Sequence, residues 1–262
     1  MALATVWAGI KHERNRALLP ALCIMLIVLA YSAPVTAQTQ DEQWHFIEAP
    51  YLMGASMSGD VTVLGRQATV DLSAHDILSN LRFGFMNYFE AKKGDWGFGV
   101  DMIYAQMRVP TVNPPADVYP TQAFFTFFAT RRLSETLDVQ FGAKWNIIKN
   151  KIELKTQNPL VVEKTKQWVD PMVGLRWAVP FSGEMWRVGV AMNMSGFGIN
   201  SHFGLDGLAN IQYRMSKSAW LGFGYRIVYT HYEFSMDDPP MPDAFQYNVL
   251  MQGPELGVVF RY

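Results

Sequence analysis

Charged side chains of both signs recur at positions that an extended chain would gather on one side: Arg82, Glu90, Asp101, Asp138, Lys144, Asp170, Arg176, Arg187, Asp206, Arg214, Arg226, Glu255 and Arg261. Confined to a narrow interior, such a set neutralises itself in ion pairs, because an unpaired buried charge costs several kcal/mol. The same residues could instead line a narrow polar pore. Nucleophilic catalysis is the other chemistry to weigh. Ser201-His202 stands near Asp206, and His231 stands near Glu233 and Asp237. A nucleophile needs a base within hydrogen-bond reach and a third group that orients the base. Spacing alone assembles no such triad here, so the chain is expected to be non-enzymatic. The dispersed histidines His45, His75, His202 and His231 give no metal-ligand spacing. The acidic stretch Asp237-Asp238 with Asp243 reads as a solvated loop rather than a cation site. With no glycine-rich phosphate loop either, no cofactor is expected.

The elements that must hold these charges are strands. In Leu137 to Ile147, one face is Leu137, Val139, Phe141, Ala143, Trp145 and Ile147, and the other is Asp138, Gln140, Gly142, Lys144 and Asn146. Period two is strand grammar, and a helix would smear both classes around its circumference. At about 3.3 Å per residue the segment covers a tilted crossing of a bilayer core. The scheme repeats over 81–91, 96–106, 168–179, 186–195, 203–214 and 219–229, and more weakly over 44–54, 121–131 and 247–262. Segment 121–131 is apolar on both faces through Phe124 to Phe128. Short polar links near 92–95, 132–136, 181–184 and 215–218 alternate with longer ones near 55–80, 107–120, 152–166, 196–202 and 235–246. That segregation predicts an all-β, closed antiparallel transmembrane barrel of about ten strands, with eight or twelve as alternatives. In the first long link, a hairpin around 61–72 precedes Ser73-Ala-His-Asp76, which has the form of a helix cap. A short helix there would plug or line the mouth, or pack as an external loop.

The beginning of the chain has the form of an export signal: Lys11, Arg14 and Arg16, then an apolar run from Ala17 to Ala30, then Val35-Thr-Ala37. Cleavage near Ala37 would leave residues 38–262 as one barrel domain and remove Cys23, the only cysteine. Disulfide and thiol chemistry go with it. The charge balance, −1 over all 262 residues, argues against nucleic-acid binding.

Pro50-Tyr-Leu-Met, Ser58-Gly-Asp-Val-Thr-Val63, Asp76-Ile-Leu-Ser-Asn-Leu81, Phe89-Glu-Ala-Lys-Lys-Gly-Asp-Trp96 and Trp168-Val-Asp-Pro-Met-Val-Gly-Leu175 carry a resemblance to a group of uncharacterised proteobacterial outer-membrane β-barrel proteins. The plan is more distantly similar to small OmpA- and OmpW-type barrels. The final strand, with Leu256, Val258, Phe260 and Tyr262 on one face, resembles the aromatic ending by which such proteins engage the barrel-assembly machinery. The resemblance implies residence in the outer membrane of a Gram-negative cell among its lipids, and it implies no reaction. The expected function is therefore a structural barrel or a narrow passive pore for small polar solutes. The alternatives are a surface interaction protein acting through the 107–120 and 235–246 loops and, more remotely, a lipid-modifying enzyme.

Overall fold

The computed structural model describes residues 43–262, except 64–65, 113–114, 156–159, 184 and 235–243. The expected export segment and its cleavage site lie outside the described residues, as does most of the 235–246 loop. The described elements are β1 (Trp44–Met53), β2 (Ser56–Val63), β3 (Arg66–Leu72), α1 (Ala74–Asn80), β4 (Leu81–Lys93), β5 (Trp96–Met107), β6 (Val109–Val112), β7 (Pro115–Arg132), β8 (Leu137–Leu154), β9 (Leu160–Phe181), β10 (Trp186–Ser195), β11 (Phe203–Arg214), β12 (Ala219–Phe234) and β13 (Phe245–Arg261).

Ten of the strands, in the order β1-β4-β5-β7-β8-β9-β10-β11-β12-β13, form a ring that β13 closes by pairing back to β1. Each neighbouring pair is antiparallel. The chain is a closed antiparallel ten-stranded transmembrane β-barrel. Its outer face is the predicted apolar one: Phe98, Phe223, Leu175 and Leu256 are each more than half exposed. Exposed Trp44, Trp96, Trp177, Tyr213 and Tyr262 lie toward the end where β1 begins and β13 finishes, the placement interfacial aromatics take. Because side chains alternate, a one-residue slip in register would exchange this belt with the lumen.

The seam is where the ring is least regular. β1 pairs with β13 from Ile47↔Arg261 to Met53↔Glu255. β2 then takes over, pairing from Ser56↔Gln252 to Val63↔Phe245. At the changeover the Gly54 amide donates to the Pro254 carbonyl at 2.8 Å. A Cβ on Gly253 would sit 2.1 Å from the Gly54 carbonyl oxygen, so only glycine allows this approach. β3 folds back on β2, so the expected hairpin exists but widens one side of the sheet without making a twelve-stranded ring. On the other side of the seam, Leu81 and residues Phe83 to Met86 of β4 pair with β5 alone among the described residues. Helix α1 connects β3 to β4. Ser73 caps it, accepting from the Asp76 amide at 3.2 Å while Asp76 Oδ2 accepts from the Ser73 amide at 3.0 Å. Ile77 buries this helix against the barrel's apolar core.

Links at the end where β1 begins and β13 finishes are tight, with Gly94, Ser182 and Gly183 in left-handed conformation; this is the turn end. At the opposite, loop end, β7 and β8 run for 18 residues and β9 for 22, well beyond the roughly 9–11 needed to cross a bilayer. The expected 152–166 loop is therefore largely strand, paired as far as Leu154↔Leu160. Residues 109–112 and 115–118 of the expected 107–120 loop likewise pair as β6 and the start of β7.

Candidate functional site in the barrel lumen

The inward residues form layers along the barrel axis. Toward the turn end, Arg176 of β9 meets Asp138 at 2.6 Å and Glu90 at 2.8 Å. Lys92 also reaches Asp138, at 3.0 Å. Glu90, with no exposed surface, accepts further hydrogen bonds from Tyr88 Oη at 2.7 Å and Thr130 Oγ1 at 2.8 Å. Opposite it lies Gly97, where a Cβ would fall 2.7 Å from Glu90 Oε1. The missing side chain makes room for the carboxylate.

The next layer turns on Arg226 of β12. Its guanidinium lies 2.5 Å from Asp101, 3.3 Å from Glu255 and 3.7 Å from Asp206. Tyr51 Oη contacts it as well and donates to Asp101 at 2.7 Å. Three carboxylates from three strands thus share one cation. Buried Lys144 stands over the Phe124 ring at 5.1 Å. Its Nζ has no hydrogen-bond partner among the described residues. Beside it Asp170 is saturated. It accepts from Asn146 Nδ2 at 3.1 Å, Trp168 Nε1 at 2.9 Å, the Ser201 amide at 2.8 Å and Ser201 Oγ at 2.6 Å.

Toward the loop end the lumen changes character. Trp168 stacks on Tyr232 at 4.1 Å between centroids. Around them pack Met53, Met57, Ile77, Ile103, Phe124, Ile148, Phe245, Tyr247 and Met251, all buried. This apolar plug is the part that sequence reasoning missed. Its signal was present in the two-faced apolarity of Phe124 to Phe128, of which Phe124 points into it.

Most of the expected lumen charges face one another as described, and Arg187, Arg214 and Arg261 sit nearer the turn end around Trp220. Arg82, expected in the lumen, is not there. It is exposed, at a register shift between Leu81 and Phe83, with its guanidinium 5.6 Å over the Tyr119 ring. The extra residue of a bulge breaks the alternation that placed it inward. Leu256 and Tyr262, in the expected assembly signal, are exposed on the outer face of the last strand; Val258 and Phe260 are partly covered there.

The serine and histidine noted for catalysis are not brought together. Buried Ser201 bonds to Asp170, whereas the His202 side chain is 58% exposed and lies 3.6 Å from Glu233. Asp206 is held by Arg226. His231 Nε2 lies 3.0 Å from Glu233 Oε1. Among the described residues no group of three or more His, Cys, Asp or Glu side chains has a metal-holding arrangement.

A cavity of about 250 Å³ opens below the plug toward the turn end, reaching from Arg226 and Glu255 down to Arg132, Arg187 and Arg261.

The class that fold and lumen define is a small, internally packed transmembrane β-barrel. No protein-family model matches the chain, and no curated protein matches it. Solved structures do. The attachment invasion locus protein Ail of Yersinia pestis, solved with a heparin analogue, is 11% identical over 84% of this chain and 99% of its own, with a TM-score of 0.38. Neisserial surface protein A is 13% identical over 84% and 100%, at 0.30. A Pseudomonas aeruginosa FadL homologue is 8% identical over 85% and 90%, at 0.37.

Proposed function

We propose that this protein is a non-enzymatic outer-membrane barrel that does not conduct, and that it acts through what it presents at its two ends. The observation that carries this reading is the filled lumen. A barrel of eight strands is filled by its own side chains, while sixteen leave an aqueous channel. In this ten-stranded ring, Arg226 with its three carboxylates spans the middle, and the apolar layer from Trp168 to Met251 lies above it. An ion entering that layer would lose most of its hydration among side chains that are mainly apolar. The turn end would face the periplasm and the long strands the exterior. Export would follow signal cleavage near Ala37, with assembly through the face bearing Leu256, Val258, Phe260 and Tyr262.

Planar-bilayer recording tests the closed lumen. Repeated insertions of folded protein should give no discrete conductance steps, and reproducible steps of uniform size would sink the reading.

The strand extensions favour surface interaction over a purely structural role. Beyond the bilayer, β8 and β9 carry Lys149 paired with Glu163 at 2.8 Å and Lys151 paired with Glu153 at 2.7 Å. Arg108 and Lys155 both hold Asp117, at 2.8 and 2.9 Å. These pairs stiffen a sheet projecting into water, a rigid platform of the kind on which binding residues are commonly mounted.

A further inference from the structure

Five cations stand together on the outer wall at the loop end: Arg82, Arg108, Lys149, Lys151 and Lys155. They belong to β4 through β8 and the links beside those strands. By contrast 195–205 and 227–252, which supply the loop end from β10 to β13, contain neither lysine nor arginine. Tyr119 of β7 is the centre of the group. The Arg82 guanidinium lies 5.6 Å over its ring and Lys151 Nζ 5.8 Å over it. Arg108 and Lys155 meet beside it on Asp117. The bulge that takes Arg82 out of the lumen is what aims it here.

The group has three carboxylates, Asp117, Glu153 and Glu163, fewer than its cations. Arg82 has none within ion-pair distance among the described residues. The adjoining segments 113–114 and 156–159 contain no charged residue. Acidic Asp237, Asp238 and Asp243 belong to the link between β12 and β13, which stand opposite β7 and β8 in the ring of ten. Exposed ion pairs of the kind Lys149 and Lys151 make are weak and reopen readily. An anion of higher charge can therefore take their cations.

What lies beneath the cations identifies the anion. Phe83 and Tyr104 pack at 5.7 Å between centroids, as do Phe125 and Trp145, so β4, β5, β7 and β8 carry an aromatic shelf. Phe83 and Trp145 are exposed on the lipid-facing wall. Lys149 follows Trp145 by two outward positions on β8, about 13 Å along the strand and roughly 10 Å along the membrane normal at the usual tilt. That is headgroup height above a ring seated at the edge of the hydrocarbon. Clusters of lysine and arginine at this level attract anionic headgroups, and the arginine fork matches the oxygens of a phosphate.

We infer that this face of the barrel binds the phosphorylated headgroup of an anionic outer-leaflet lipid. Its acyl chains lie on the aromatic shelf, and Arg82, Lys149 and Lys151 hold its phosphates. The inference rests on the outer-membrane reading with the loop end outward.

Diphosphoryl lipid A is the probe, added to the folded full chain in a detergent with a neutral headgroup, with monophosphoryl lipid A and phosphatidylcholine as comparisons. Native mass spectrometry reads the fraction of barrel that retains lipid. Retention should saturate, fall in that order of lipids and weaken as ionic strength rises. The double variant Arg82→Gln with Lys149→Gln should need about tenfold more diphosphoryl lipid A for half retention. Neither side chain is buried, so heat-modifiable migration on gels should stay normal. Glu163→Gln, which frees Lys149, should raise retention instead. Equal retention of the three lipids, or unchanged retention in both variants, would overturn the assignment. Cell fractionation tests the underlying reading separately. A barrel that sediments with the outer membrane yet retains the three lipids equally sinks the lipid site alone, and a barrel found elsewhere sinks both.

Discussion

The two halves of the lumen are filled by opposite means. Toward the turn end, strands are tied across the barrel by charge: one arginine holds Glu90 and Asp138, and another holds Asp101, Asp206 and Glu255. Toward the loop end, Trp168, Tyr232, Ile148 and Met251 meet as they would in a soluble core. The charged half is specific and unforgiving. Its cations and carboxylates are stable only together, and each removal strands its partners in a poorly solvated space. The apolar half is tolerant in kind but sensitive to volume, because its contacts are non-directional and its cost is measured by the void left behind.

Arg226→Leu should break this contrast most severely. It leaves three inward carboxylates facing one another without their cation, and a loss of about 3–5 kcal/mol is expected. The urea midpoint of the folded barrel in lipid vesicles would report it. Adding Asp101→Asn to Arg226→Leu should recover part of the loss, since one fewer charge is then stranded. A double variant no more stable than Arg226→Leu would show that the middle layer is held by packing, as its neighbour is.

Ile148→Ala probes the apolar half in the same assay. Ile148 is 4% exposed within the plug, and removing most of its side chain should cost about 2–4 kcal/mol. Here no second polar substitution should rescue the loss, whereas enlarging a facing residue could. Rescue by removing a lumen charge would mean that the halves are coupled rather than distinct.

How much of this was legible in the chain differs between the halves for a physical reason. The charged half follows from alternation: Asp138, Lys144, Arg176 and Arg226 sit two residues from glycines or amides and opposite an apolar face, and period two survives in any register. The plug erases that contrast because inward Phe124 is as apolar as its lipid-facing neighbour Phe127. Beyond the bilayer the contrast fails in the other sense. Lys149, Lys151 and Glu153 of β8 stand in water, and what reads as a loop is paired strand. The break between β1 and β2 depends on how closely Gly54 approaches Gly253, residues far apart in sequence. Arg82 was misplaced because a bulge changes phase without changing composition. The convergence on Trp220 needed the positions of β10, β11, β12 and β13 together.

The smallest expected effect lies where the apolar half meets solvent, at α1. Ile77 is the residue this helix contributes to the plug, and the Ser73–Asp76 cap holds the turn that presents it. The hydrogen bonds from the Ser73 side chain and amide hold the Asp76 carboxyl below the usual carboxylate range. A carboxyl whose folded value lies below its unfolded value of about 4 contributes in full above that value. The contribution disappears as pH falls through the folded value. Amide exchange at Ile77, whose N–H donates to the Ser73 carbonyl at 3.1 Å, should therefore lose protection on acidification below pH ~4, while the buried strand amide of Val249 does not. Ser73→Ala should lower protection at Ile77 about fivefold at neutral pH and flatten most of its acid dependence. If the variant kept the full wild-type acid dependence, the cap would not be what seats Ile77, and the plug would hold α1 by packing alone.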